Sequence, residues 1–211
     1  MRPLWLVATA AGFGLIFAAT EVLHRRGVPA ESTRRGAHTA GAGGAALIQV
    51  LLTWPEMVAL AVAFSAFLAG TRALGRLRSI HGVPRPTLGA QLLPVGLLLA
   101  VGAGWQHPAA TAFGMLVLAV ADPLAALAGS LGGLAWRVPG GRKSLWGSLA
   151  FLATALGLGA VFGVAGGGFR PLGAAAAAAA LTLVEAGAGF GLDNLLLPML
   201  GTLAGRAWLA L

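Results

Sequence analysis

Long apolar stretches alternate with short polar ones along almost the whole chain. The apolar runs cover about Pro3–Leu23, Gly36–Trp54, Pro55–Leu74, Thr87–Gly104, Ala109–Leu134, Leu145–Ala165, Pro171–Gly187 and Leu195–Leu211. Each is close to the ~20 residues an α-helix needs to cross a bilayer. The pattern therefore predicts an all-α integral membrane protein, a bundle of about eight transmembrane helices within a range of seven to nine, forming one domain over residues 1–211. The first run has small residues at Phe17-Ala18-Ala19-Thr20 that would suit signal-peptide cleavage. Only Arg2 precedes it, however, whereas Arg25, Arg26, Arg34 and Arg35 follow, so it reads as a retained helix with its N-terminus outside. The tract Ala174–Ala180 reads as helix-packing surface, and so does Gly41-Ala42-Gly43-Gly44.

Composition strengthens this picture. Of 211 residues, 58% are hydrophobic and 9% charged, against about 25% charged in soluble domains. Cysteine is absent, which excludes disulfides, thiolate metal sites and a cysteine nucleophile. The net charge of +8 changes meaning once it is mapped onto loops. The loop between the first two runs holds Arg25, Arg26, Arg34 and Arg35. That between the third and fourth holds Arg72, Arg76, Arg78 and Arg85, and that between the fifth and sixth holds Arg137, Arg142 and Lys143. Only Arg2, Arg170 and Arg206 fall on the other side. The positive-inside rule places the three basic loops in the cytoplasm and both termini outside. Basic residues so arranged suit anionic lipid, not nucleic acid.

The rare polar groups gather on the same side. Of six carboxylates, Glu56 falls on the outer side, while Glu21, Glu31, Asp122, Glu185 and Asp193 map to the inner half. Ionisable residues in membrane segments are costly and are functional suspects for that reason. In Ala121-Asp122-Pro123, the proline removes a backbone donor and disturbs the helix. Ala126, Gly129 and Gly133 follow on the face of Asp122, leaving room for a ligand or for another helix. Arg142-Lys143-Ser144-Leu145-Trp146-Gly147-Ser148 opens the sixth run, where free N–H groups suit phosphate and a basic anchor suits the membrane surface. Lys143 is the sole lysine. Glu185 ends the seventh run and Asp193-Asn194 begins the eighth. Asp193 suits a helix N-cap, and with Asp122 it also offers hard oxygen ligands for Mg²⁺.

Four segments carry a resemblance. Glu21 with Arg25 and Arg26, then Glu31, Arg34, Arg35 and His38, are similar to a Glu…Arg-Lys-x-x-His segment, with Arg35 in the lysine place. Asp122 to Gly129 and Gly133 is similar to a Gly-Asp-x-x-Ala…Gly nucleotide segment, although Ser130 and Leu131 stand where relatives often carry basic residues. Lys143-Ser144-Leu-Trp-Gly147-Ser148 is similar to a Lys-Ser/Thr-x-x-Gly-Ser element. Thr182-Leu-Val-Glu185, Asp193-Asn194 and Pro198 match a Thr-Leu-Val-Glu…Asp-Asn…Pro ending. In this order the chain resembles the membrane-bound CTP-dependent polyprenol kinases: the dolichol, phytol and yeast-type diacylglycerol kinases, relatives of the CDP-diacylglycerol synthases.

The resemblance implies CTP or UTP as donor and a long-chain lipid alcohol as acceptor. It assigns Asp122 and Asp193 to Mg²⁺, and Asp122, Lys143, Glu185 and Asp193 to catalysis. Glu185 either completes the metal shell or accepts the alcohol proton. Gly129, Gly133, Lys143, Ser144, Gly147, Ser148 and Asn194 fall to the nucleotide, and Arg34, Arg35 and His38 to positioning of the acceptor or of phosphate. Two rivals stand beside it. A cytidylyltransferase making a CDP-lipid would release pyrophosphate instead of CDP. A small transporter would show inverted repeats and polar groups at mid-membrane.

Overall fold

The computed structural model describes residues 2–208, and helices dominate it. Helix α1 spans Arg2–Arg25, α2 Ala30–Ala45, α3 Ile48–Leu51, α4 Trp54–Ala73, α5 Arg78–His81, α6 Gly89–Ala103 and α7 Pro108–Leu116. A π-helical turn, Val117–Ala121, joins α7 to α8 (Asp122–Gly129). A two-stranded hairpin, β1 Ala135–Val138 and β2 Gly141–Ser144, leads to α9 (Leu145–Ala165), α10 (Pro171–Gly187) and α11 (Asp193–Trp208). Four helical stretches, Leu4–Arg25, Trp54–Ala73, Pro108–Gly129 and Leu145–Ala165, are long and apolar enough to cross a membrane. Gly89–Ala103 and Pro171–Gly187 are apolar but shorter. Large aliphatic side chains such as Leu4, Leu15, Val62, Val161, Leu172 and Leu183 are exposed around the bundle. Such a surface suits lipid and not water, and the chain is a helical membrane protein.

The helices run between two ends of different chemistry. At one end the Ser79 N–H donates to Glu21, Thr33 Oγ1 donates to the Ser79 carbonyl, and Arg85 pairs with Glu31. The first two of the segments that the sequence marks as basic thus meet at a single charged end. At the other, Gln49 donates to the Gly104 carbonyl, Arg206 to the Ala103 carbonyl, and Trp54 packs edge-on against Trp105. Glu56 sits there as well, in a capping box with Thr53 that closes the start of α4.

Several sequence expectations need correction. The second apolar run is not one helix over Gly36–Trp54. Helix α2 starts earlier, at Ala30 behind Pro29, and stops at Ala45 before the short α3. Glu31 pairs with Arg34 and Arg35 one turn on, so these arginines belong to the first turns of a helix and not to a loop. The fifth run ends at Gly129, not Leu134. The all-α expectation misses the hairpin, whose turn is Pro139-Gly140, with Gly140 at φ +74°, the residue pair a type II turn favours. The last run begins at Asp193, and its end at Leu211 lies outside the described residues. Eight spans go beyond the four helices that qualify by length and apolarity.

The segment Pro108–Gly129 is the most enclosed of the four candidate spans. Phe113, Met115, Val117, Leu118 and Ala121 are fully buried, with Phe151 of α9 and Leu197 of α11 beside them. Close approach of α7 to α11 depends on glycine. A Cβ on Gly114 would lie 2.5 Å from the Pro198 carbonyl oxygen and 2.6 Å from Thr202 Oγ1, and one on Gly201 would lie 2.8 Å from Gly114 Cα. The alanine tract behaves as its composition suggests, with Ala174, Ala177 and Ala178 buried and Ala174 facing Gly159 of α9. Small residues of this kind let helix backbones meet where lipid supplies no hydrophobic drive between them.

Gly114→Leu is expected to destabilise the protein in detergent by about 1–3 kcal/mol through overpacking against backbone. Gly157→Leu, at an exposed position where a Cβ meets nothing within 4 Å, leaves the thermal midpoint unchanged. Parallel melts of the two variants check this.

Candidate active site

Asp122 is presented by a break in its own helix. Pro123 has no N–H to return to the preceding turn, and Val117–Ala121 widens into a π turn immediately before it. The Leu118 carbonyl in that turn faces His38 Nε2 at 3.3 Å, and the same nitrogen lies 3.7 Å from Asp122 Oδ2. His38 of α2 therefore braces the break from the neighbouring helix.

Lys143 is carried on the hairpin. Antiparallel register pairs it with Trp136, and directly opposed residues share one face of the ribbon. Trp136 Nε1 donates to the Ala186 carbonyl, fixing the hairpin on α10. Lys143 Nζ then reaches Glu185 Oε1 at 2.5 Å, with Asp193 Oδ2 at 3.9 Å. Ser148 Oγ donates to the second Glu185 oxygen. Glu185 is only 3% exposed, so both its oxygens are matched in a region where an unmatched charge would be costly. Burial works against the Lys143 ammonium, but the charges of Glu185, Asp193 and Asp122 outweigh it and raise the pKa above the ordinary lysine value.

A third strut is the loop after α10. The Phe190 N–H donates to the Pro139 carbonyl at the hairpin turn, and the Leu88 N–H donates to the Phe190 carbonyl. Asn194, buried at the start of α11, donates from its side chain to the Gly89 carbonyl at 2.7 Å. Hairpin, α6, α10 and α11 are thus tied together around one opening.

That opening is a cavity of about 610 Å³, within the size range of small-molecule sites. Its wall takes residues from all four sequence segments: Arg34, Arg35 and His38; Asp122, Gly129 and Gly133; Lys143, Ser144 and Gly147; Glu185, Asp193 and Asn194. Ser148 does not line it but stands behind Glu185. Gly129 and Gly133 line it, yet a Cβ on either would collide with protein, with Ser144 Oγ at 2.9 Å and Trp146 Cδ1 at 2.6 Å. Their lack of a side chain therefore serves packing against the start of α9 as well as space. Ser144 caps α9 by accepting the Gly147 N–H. Arg34 and Arg35 are held by Glu31, with Arg85 as third partner. Arg85 and Arg142 also line the cavity; in the sequence both register only as topology charge. Pro139-Gly140-Gly141 between Trp136-Arg137-Val138 and Arg142-Lys143 is the turn signal that would have disclosed the hairpin.

The donor set suits a hard cation. Asp122 and Asp193 place carboxylate oxygens on the wall. Among the described residues, no three His, Asp or Glu side chains gather closely enough to hold an ion unaided. Mg²⁺ commonly takes one or two carboxylates and completes its octahedron with phosphate and water oxygens, and these residues fit that arrangement.

Lys143→Met alone is expected to cost about 3–5 kcal/mol, because it leaves Glu185 buried without its cation. Lys143→Met with Glu185→Leu recovers most of that loss. Since the folded lysine pKa is raised, the pair's contribution is complete below the ordinary lysine value of about 10.4 and is lost as pH rises through the higher folded value. The wild-type advantage over the double variant is therefore flat from about pH 6 to 9 and falls only in stronger alkali. Unfolding of the three proteins in detergent across pH measures this.

No family model and no solved structure matches the chain. Among curated proteins, the phytol kinase of Synechocystis sp. is 36% identical over 210 residues, covering 93% of this chain and 89% of the relative. Identity at that level along nearly the whole of both proteins shows that the chain belongs to the polyprenol and phytol kinase family.

Proposed function

We propose that the protein is a lipid-alcohol kinase that transfers the terminal phosphoryl group of CTP or UTP to a long-chain prenol such as phytol, polyprenol or dolichol. The observation that carries this reading is the convergence of four separated segments on one cavity at the charged end of a membrane bundle. The phytol kinase relative supports a lipid alcohol as acceptor. In this reading about eight helical passes cross the bilayer, with the basic end in the cytoplasm and both termini outside.

Phosphoryl transfer is mainly a matter of positioning and of neutralising charge. Lys143 and the basic rim of Arg85 and Arg142 attract and orient the triphosphate. Asp122 and Asp193 would hold Mg²⁺, which when bound offsets phosphate charge. Glu185, with both oxygens taken by Lys143 and Ser148, holds the lysine in place and does not accept the proton. The alcohol oxygen forms a bond to the terminal phosphorus, and the bond from that phosphorus to the bridging oxygen breaks. CDP or UDP leaves with the electron pair. The alcohol proton passes to solvent through the open cavity, since a loose transition state asks little of a base.

The purified protein in liposomes with Mg²⁺ is expected to move label from γ-labelled CTP to a prenol and to release CDP. Release of pyrophosphate would instead identify a cytidylyltransferase. Asp122→Asn is expected to lower turnover about a hundredfold to a thousandfold, the scale of removing a group that stabilises transition-state charge, while the protein remains folded by thermal melt. Normal turnover by this variant would remove Asp122 from the site.

A further inference from the structure

A second cavity adjoins the first and has the opposite chemistry. It measures about 90 Å³ and is lined mainly by α1, α2, α4 and α6, with Ile48, Ile80, Met115 and Asn194 completing the wall. Phe13, Phe17, Leu60, Phe64, Leu93 and Leu97 are among its walls. Three of its lining residues carry polar side chains, Arg34, His38 and Asn194, and all three also line the larger polar cavity. The two spaces therefore meet at a single polar junction, with Asp122 3.7 Å beyond His38. Elsewhere the apolar cavity offers no donor for a phosphate or a base.

Phe13, Ile16 and Phe17 of α1 and Leu60, Ala61, Phe64 and Leu68 of α4 form one side of the cavity. Helix α1 is the least buried of the four candidate spans. It meets α4 through a seam of rings, Phe13 on Phe64 at 5.1 Å between centroids and Phe17 on Phe67 at 5.7 Å. Aromatic seams lack the backbone interlock that glycine gives α7 and α11. Gly41 of α2 lines the same space, and a Cβ there would only touch Phe13, at 3.7 Å.

We infer that this apolar cavity receives the hydroxyl-bearing end of the acceptor's isoprenoid chain, entering between α1 and α4 and presenting its hydroxyl at His38 and Asn194 to the polar cavity. The inference rests on the kinase reading for the identity of the occupant. The volume corresponds to space for roughly six to nine waters, enough for the head of an isoprenoid chain and not for its full length. The remaining chain stays in lipid. Discrimination among acceptors accordingly falls on the first isoprene units, and length beyond them has little effect on KM.

Two measurements test this. A prenol with a diazirine on its first isoprene unit, photolysed with wild-type protein in liposomes, is expected to label α1, α2, α4 or α6 at Phe13–Phe17, Ala37–Ala45, Leu60–Phe64 or Leu93–Leu97, and excess phytol is expected to compete. Label confined to outward, lipid-facing residues, or not displaced by phytol, overturns the inference. Gly41→Leu is expected to raise KM for the prenol about tenfold, the equivalent of displacing about two buried methylenes, with KM for CTP unchanged. A rise in KM for CTP alone, or no change in either constant, also overturns it. Competed labelling without phosphoryl transfer would retain the groove and remove the kinase reading. Transfer without such labelling would do the reverse.

Discussion

A half-buried ammonium must be matched by negative charge at close range, and much of the charged end is arranged around meeting that condition for Lys143. Its partners come from two other helices, Glu185 at the end of α10 and Asp193 at the start of α11. Satisfying the lysine therefore fixes the hairpin against both. Ser148 takes the remaining Glu185 oxygen, and Trp136, opposite Lys143 in the ribbon, anchors the same strand pair to α10. Removing one partner leaves a desolvated charge behind, which costs more than the contact itself. The same ammonium that organises the end of the bundle is the cation nearest to Asp193 on the cavity wall.

The remainder of the molecule follows from lipid as a solvent. Where water is absent every backbone polar group must be satisfied within its own segment, so the long passes are helical. Departures from regular helix are confined to places where another group takes up the slack. The π turn before Pro123 exposes the Leu118 carbonyl and His38 meets it. Pro198 lies inside α11, which continues through it to Trp208. The hairpin lies at the charged end and is held by the Phe190 loop. Tight approach of helices where glycine permits it, as between α7 and α11, contrasts with the aromatic contact of α1 on α4. This difference sets the α7–α11 contact, made backbone to backbone, apart from the α1–α4 contact, made through side-chain rings.

Legibility in the sequence varied by element for physical reasons. The sixth and seventh apolar runs coincide with α9 and α10, because their ends are marked by Ser144 as N-cap, by Pro171 and by flanking glycines. The second run misled, since hydropathy alone does not register that Glu31 with Arg34 and Arg35 stabilises a helix start. The hairpin was obscured by the charge of Arg137, Arg142 and Lys143, which reads as a topology signal. Most of the residues singled out in the sequence line one cavity, and they stood out because carboxylates are expensive in apolar segments. Their individual tasks were not legible. Ser148 stands behind Glu185, and Gly129 and Gly133 are shaped as much by Ser144 and Trp146 as by any ligand.

The sequence by itself determined that this is a helical membrane protein with its charge concentrated in alternate loops, because hydropathy and loop charge are local quantities that act segment by segment. It also singled out Asp122, Lys143, Glu185 and Asp193 by their rarity and spacing. Only the tertiary structure decided which of them touch, that Lys143 is held by Glu185 with Asp193 nearby, and that an apolar cavity meets the polar one at Arg34, His38 and Asn194. These are pairings between residues far apart in the chain. They are set by how helices pack and where glycine lets them approach, and no periodicity along one segment encodes them.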